Sequence, residues 1–145
     1  QRQMCIRDRH FVSGPGLQNI HRFLANSAGI ESSLSAEMIA TSALREEGIC
    51  RDAVNLMIGI LGTVMRDHVL TMGCWRGAVI TGGIMPRLQS LINSSPLKQR
   101  FRSAGDMSHI LGNVPVWLST DPLAGLKGAQ VAFGNPYLAH RMVTG

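Results

Sequence analysis

Residues 79–86 read Val79-Ile80-Thr81-Gly82-Gly83-Ile84-Met85-Pro86, an apolar β-branched run that stops at two glycines and resumes toward a proline. Val and Ile are stiff at χ1 and suit a pleated, buried surface, so Ala78 to Thr81 predicts a short strand. Pro86 has no N–H and a fixed φ, which suits the first turn of a helix turning Leu88, Leu91 and Ile92 inward. A strand that leaves through Gly82-Gly83 into a helix start carries a chemical option. Without Cβ atoms the glycines let a flat base or a ribose approach the main chain, and the free N–H groups of a helix start favour phosphate. Taken alone, such a glycine pair is more often just a tight turn.

Working outward, helices surround this strand. Phe11 to Ser13 predicts a short strand before the Gly14-Pro15-Gly16 turn, and Leu17 to Ala28 a helix with Leu17, Ile20, Phe23 and Leu24 on one face, closed by Gly29. Ser35 is an N-cap residue for a helix to Glu46 that buries Met38, Ile39 and Leu44, and Gly48 breaks it. Cys50 to Met72 keeps helical spacing through Val54, Met57, Ile58, Leu61, Val64, Met65 and Val69. Gly59 and Gly62 cost that helix propensity, and close packing is the reason to keep them. Beyond the central strand, Pro96 opens a short helix presenting Leu97 and Phe101, and Asp106 caps another bearing Ile110 and Leu111. Val114 to Thr120 alternates as a strand, and Pro122 to Phe133 forms a closing helix with Gly125, Gly128, Ala129 and Ala132 on its close-packing side. Strands alternating with helices predict an α/β fold with a mixed sheet and flanking helices.

The bulk numbers agree with one core and narrow the partners. The chain has 145 residues, 45% of them hydrophobic and 16% charged, enough for one ordinary domain. Its net charge is +5, but residues 1–9 hold three Arg and one Asp, leaving 11 basic against 8 acidic residues elsewhere. That small excess forms no long basic run interleaved with aromatics, which points away from nucleic acid. Cys5, Cys50 and Cys74 are odd in number and without paired spacing, which fits a reducing cytoplasm. The most apolar stretch, Val54 to Met65, ends against Arg66, Asp67 and His68, short of the roughly 20 residues a membrane span needs. It reads as a buried core helix. Residues 1–9 show neither helical nor strand periodicity and read as a non-native, adapter-like extension, with residues 135–145 as a tail.

Catalytic chemistry is not legible. His10, His21, His68, His109 and His140 are isolated, and none pairs with another or with a Cys at metal-ligand spacing. Asp67 lies on an apolar helix and reads as paired to Arg66 or to solvent, and Asp121 before Pro122 has the place of a turn or cap residue. Ser13-Gly14-Pro15-Gly16-Leu17 lacks the Lys and the spacing of a P-loop and reads as a helix-initiating turn.

The order of the pieces is more specific than any one of them. Ser13-Gly14-Pro15-Gly16-Leu17 with Asn19 and Arg22, then Cys50-Arg51, Gly73 before Gly77, Ile80 to Arg87, and Pro115-Val116 before Gly125-Leu126-Lys127-Gly128-Ala129 together resemble the bacterial glucokinase family over Phe11 to about Phe133. The resemblance implies membership of the hexokinase, actin and heat-shock ATPase superfamily. It implies a ribonuclease-H-like large lobe over residues 10–134, one of two lobes that close on sugar and ATP. By the same resemblance Cys50 to Met72 matches the interlobe helix and Thr81, Gly82, Gly83 and Ile84 match the adenosine motif. The implied activity is a cytoplasmic, glycolytic one: transfer of the ATP γ-phosphate to the 6-hydroxyl of glucose, with Mg²⁺ bridging phosphates. A homodimer is compatible with it, and neither a membrane nor a nucleic acid is implied as partner. The catalytic Asp, the sugar ligands and the phosphate loops of the family match nothing from Phe11 onward, so this part is expected to be inactive alone. Arg66, Arg76-Gly77 and Ala124 depart from the family pattern. A sugar-responsive regulatory domain and a free-standing nucleotide-binding module of the same fold are the alternative readings.

Overall fold

The computed structural model describes residues 10–136. The extension expected at 1–9 and residues 137–145 of the expected tail lie outside them. Helix α1 (Gly14–Ser27) starts at a side-chain cap: Ser13 is extended and its hydroxyl accepts the N–H of Gly16 at 3.0 Å, with Pro15 in the first turn. The strand expected at Phe11–Ser13 does not form, since His10 and Phe11 are helical. The cap chemistry of Ser13-Gly14-Pro15 outweighs two apolar residues. Leu17, Ile20 and Ala25 are buried, whereas Phe23, expected on the same face, is 69% exposed.

Helix α2 (Ala36–Arg45) begins at the expected cap, with Ser35 Oγ accepting the N–H of Met38 at 3.2 Å. Its inward face differs from expectation. Ile39, Ala40 and Ala43 are buried, while Met38 and Leu44 are exposed, because the small residues let α2 lie close against the next helix. That helix, α3 (Ile49–Met72), is joined to α2 by Arg51, whose Nε donates to the Ala43 carbonyl at 2.5 Å and whose Nη1 pairs with Glu47 at 2.9 Å. It ends where Gly73 takes a left-handed φ of 66° and donates its N–H to Val69 O.

Arg66, Asp67 and His68 do not shorten α3. Arg66 Nε pairs with Asp67 at 2.8 Å, its Nη1 donates to Ser103 O at 2.6 Å, and the helix continues to Met72. At 24 residues α3 is by length and composition apolar enough to cross a membrane, and 44% of its most apolar window is buried inside the protein. Helices α1, α2 and α5 (Leu97–Arg102) pack on it, which is the behaviour of a core helix. The expectation for its glycines is met. A Cβ on Gly59 would stand 3.1 Å from Pro96 Cγ, and one on Gly62 only 2.6 Å from the Leu97 carbonyl oxygen. Leu17, Ile39, Val54, Met57, Ile58 and Leu88 form one core with α3 at its centre, each worth about 1.5–3 kcal/mol of burial. Val69, Phe101, Leu111 and Val114 form a second, smaller cluster.

Strands β1 (Ala78–Ile80) and β2 (Val116–Leu118) pair in parallel, with Ala78 opposite Val116 and Ile80 opposite Leu118. Parallel neighbours need a crossover. Residues 81–115 supply it through a 3-10 turn (Met85–Leu88), α4 (Gln89–Ile92), α5 and α6 (Ser108–Leu111). The α/β class holds, but the mixed sheet does not: among the described residues the sheet is this parallel pair. Asp106 sits inside a 3-10 turn and caps nothing with its side chain, where instead Ser108 Oγ accepts the Ala104 N–H at 3.1 Å. The closing helix α7 (Ala124–Phe133) begins two residues after Pro122. Its glycines make no close contact. Nothing among the described residues lies within 4 Å of a Cβ built on Gly125 or Gly128, and Leu126 is 69% exposed.

The two kinds of glycine should therefore respond oppositely to alanine. Gly62→Ala forces α3 and α5 apart and is expected to lower stability by about 1–3 kcal/mol. Gly128→Ala meets open space in a helix interior and should raise stability by up to about 0.5–1 kcal/mol. Urea denaturation of the two variants checks both signs.

Candidate functional site

At its carboxyl end β1 buries Ile80 and then leaves through Thr81, Gly82 and Gly83, before Ile84 leads into the 3-10 turn at Met85. Gly82 holds φ at 121°, a conformation that side chains disfavour, whereas Gly83 has no positive φ. Neither glycine has any atom within 4 Å of where a Cβ would stand. This exit is open space rather than close packing, which separates it from Gly59 and Gly62 on α3.

Thr81, Gly82, Gly83 and Ile84 all line one cavity of about 180 Å³. Val12 and Ser13 at the entrance to α1, Met57 and Leu61 on α3, and Ile80 and Met85 complete its lining. The two glycine-bearing loops that the sequence singled out thus meet: a Cβ on Gly14 would lie 3.8 Å from Ile84 Cδ1. The cavity is smaller than the roughly 300–1,000 Å³ of pockets for drug-sized ligands, so it has room for one flat ring rather than a whole nucleotide. In the sequence Val12 and Ser13 read as the end of a short strand, Ser13 also opening a helix-initiating turn, and nothing in their local pattern relates them to residue 82.

Two larger hollows adjoin it. One of about 450 Å³ runs beside β2 and α5 and includes Asn93, Lys98, Arg102 and Asn113, with Arg102 donating to the Gly112 carbonyl at 3.1 Å. The other, about 430 Å³, is an apolar trough of Leu61, Val64, Met65, Met72 and Val79 among others. Their size alone does not make them the site. Neither includes Gly82 or Gly83, although Thr81 also lines the trough, which lies between α3 and β1.

The remaining candidates of the sequence are structural. Asp67 is paired with Arg66, and Asp121 Oδ2 binds Lys127 Nζ at 2.7 Å while its Oδ1 accepts the Leu123 N–H at 2.9 Å. Lys127, and then the Leu123 amide, hold the Asp121 carboxyl below its ordinary range. His68 Nδ1 lies 2.8 Å from Val64 O and His109 Nδ1 2.6 Å from Asp106 O, both as N–H donors to main-chain carbonyls. No group of three His, Cys, Asp or Glu side chains able to hold a metal ion occurs among the described residues. His21 is the buried one among the described histidines. It is only 4% exposed, its Nε2 lies 3.5 Å from Cys50 Sγ, and burial pulls its pKa down while burial pushes the Cys50 thiol up. Each group is thereby kept neutral in the core between α1 and α3.

A parallel strand pair crossing over through helices, with an open glycine exit at the carboxyl end of the strand, makes this an α/β chain whose candidate site lies at a strand end. The structure is similar to a crystal structure of glucokinase from an Antarctic psychrotroph, with a TM-score of 0.71 and 31% identity over 88% of this chain and 44% of that one. Among sequences, a glucokinase of Stenotrophomonas maltophilia strain K279a is 34% identical over 86% of this chain, and one of Xylella fastidiosa strain M23 is 35% identical over 86%. The family model for glucokinase matches residues 2–136, and the chain belongs to that family. It spans 37% of the length of these two relatives.

Two outcomes follow from the site's geometry. Gly82→Ala should cost about 1–3 kcal/mol through its positive φ, while Gly83→Ala should stay within about 0.5 kcal/mol, as denaturant melting will report. For His21 the folded pKa lies below the unfolded one, so the unfolded chain binds the extra proton. Stability should be fully present above pH of about 6.5 and fall as pH drops through that value, and His21→Leu should flatten this slope in urea titrations from pH 7.5 to 5.

Proposed function

We propose that this chain forms the adenosine-binding side of an ATP-dependent glucokinase, in which the γ-phosphate of ATP passes to the 6-hydroxyl of glucose. One observation carries the reading: the cavity between the Ser13 and Gly82-Gly83 loops lies at the carboxyl end of β1. Ligands of open parallel α/β sheets bind in that position. Thr81, Gly82, Gly83 and Ile84 contact the adenosine, and Val12 and Ser13 close the opposite wall. In this reading residues 10–134 belong to a ribonuclease-H-like large lobe, and α3 connects it to a second lobe.

In this reading the base and the metal ligands belong to another part of the enzyme; Asp67 and Asp121, the carboxylates the sequence singled out, are held in ion pairs with Arg66 and Lys127. Phosphoryl transfer is governed by positioning and charge stabilisation, so the chain by itself is expected to be inactive on glucose. A cytoplasmic enzyme with glucose and ATP as partners, without membrane or nucleic acid, completes the proposal, and a homodimer is compatible with it.

The test restores the other lobe by fusion to the amino-terminal part of a related glucokinase. Gly83→Val should raise the KM for ATP about tenfold, a loss of about 1.4 kcal/mol, with the KM for glucose nearly unchanged. Because Gly83 has neither a positive φ nor a near neighbour, the variant should fold as the parent does, which circular dichroism and melting can verify. Folded Gly83→Val protein with an unaltered KM for ATP would reduce the glycine exit to a turn.

A further inference from the structure

We infer that Leu61 sets the size limit of the nucleoside site, as the side chain that divides the base-sized cavity from the apolar trough beside it. The inference rests on the nucleoside reading above and names the residue that decides which substituted bases the site admits. Leu61, Ile80 and Thr81 line both spaces, the cavity of about 180 Å³ and the trough of about 430 Å³. They are the shared wall. Along α3 the same passage runs in order: Met57 lines the cavity, Leu61 both spaces, and Val64, Met65 and His68 the trough. Residues three and four apart on a helix share a face, so this is one continuous stripe with Leu61 at the point of division.

Of the three shared residues, Ile80 is buried in the main core and held opposite Leu118 by the strand register. Thr81 is exposed and carries a short side chain. Leu61 is half-buried and packed against the core, and its branched side chain is the part of the wall that can be cut back without touching the strand. A substituent on the base that points toward Leu61 meets that side chain. With alanine in its place the cavity opens onto a space more than twice its size, lined by Val64, Met65, Val69, Met72 and Val79 among others. Such a surface favours an apolar group, and an aromatic ring also gains from the two thioethers. One methylene too many or too few in a hydrophobic pocket is worth about 10–200-fold, so a whole ring is rejected or admitted by about tenfold or more.

The experiment uses the ¹⁵N-labelled 145-residue chain, titrated with adenosine and with adenosine analogues bearing a benzylamino group at C2, C6 or C8. The amide signals of Ser13, Gly82 and Gly83 report binding. The unmutated chain should bind adenosine and reject at least one analogue by about tenfold or more. Leu61→Ala should bind that analogue at least about tenfold more tightly than the unmutated chain does, with the Kd for adenosine changed by less than about threefold. Val64→Ala, which alters the trough alone, should give no such gain. Where Leu61→Ala loses its dispersed amide spectrum, Leu61→Val takes its place, with a smaller gain in the same direction. If the unmutated chain accepts all three analogues, or if adenosine binds and the Leu61 variant admits none of the rejected ones, the inference fails while the nucleoside site stands. An equal gain in Val64→Ala would overturn it as well, by assigning the effect to the trough as a whole. If adenosine moves none of these amides, the nucleoside reading falls and takes the inference with it.

Discussion

The near contact of α3 with α5 at Gly59 and Gly62 is the constraint on which the rest of the structure depends. Two glycines on one face remove the side-chain layer that usually separates helices, so the Leu97 carbonyl and the Pro96 ring lie against the α3 backbone. That approach sets where the crossover begins its return toward β2. It also seats Leu97 in the main core and Phe101 in the smaller cluster with Val69 and Leu111. Arg66 strengthens the same junction by reaching Ser103 just beyond α5. Gly77 has a comparable local role beside β1, since a Cβ there would overlap the Trp117 ring on the neighbouring strand.

Position follows from that packing, and chemistry follows from position. With β1 and β2 parallel, both strands end on the same side, and the Gly82-Gly83 exit opens there beside the cap of α1. Elsewhere glycine serves contact. Here it leaves main chain uncovered, and the cavity's other wall comes from residues far away in the chain. The cavity is small and lined mostly by apolar side chains, with the hydroxyl-bearing Ser13 and Thr81 and the main chain of Gly82 and Gly83 beside them.

Uncovered surface tells the same story from the outside. Leu61, Val64 and Met65 continue the apolar stripe of α3 but are only half-buried, and Val79 of β1 is 62% exposed. Gly125 and Gly128 of α7 likewise face open space among the described residues. Periodicity in these segments is real, yet it outruns the neighbours present to use it.

Local chemistry made much of this protein legible in one dimension. Ser35 as a cap, Gly59 and Gly62 as close-packing positions, Ala78 to Ile80 as a strand and the ordered motifs of the glucokinase family all depend on residues near one another in sequence. Where such local signals competed, the stronger covalent one prevailed: Ser13-Gly14-Pro15 made a helix start of what two apolar residues suggested was a strand. What the sequence did not determine is which neighbour covers which face. Met38 and Leu44 point outward because α3 takes up the Ile39, Ala40 and Ala43 side of α2, Phe23 because α1 turns Leu17, Ile20 and Ala25 inward, and His21 is buried where Cys50 arrives beside it from α3. Tertiary structure alone brought Val12 and Ser13 against Gly82 and Gly83, because a cavity is bounded by elements that meet in space and its walls leave no shared period in the chain.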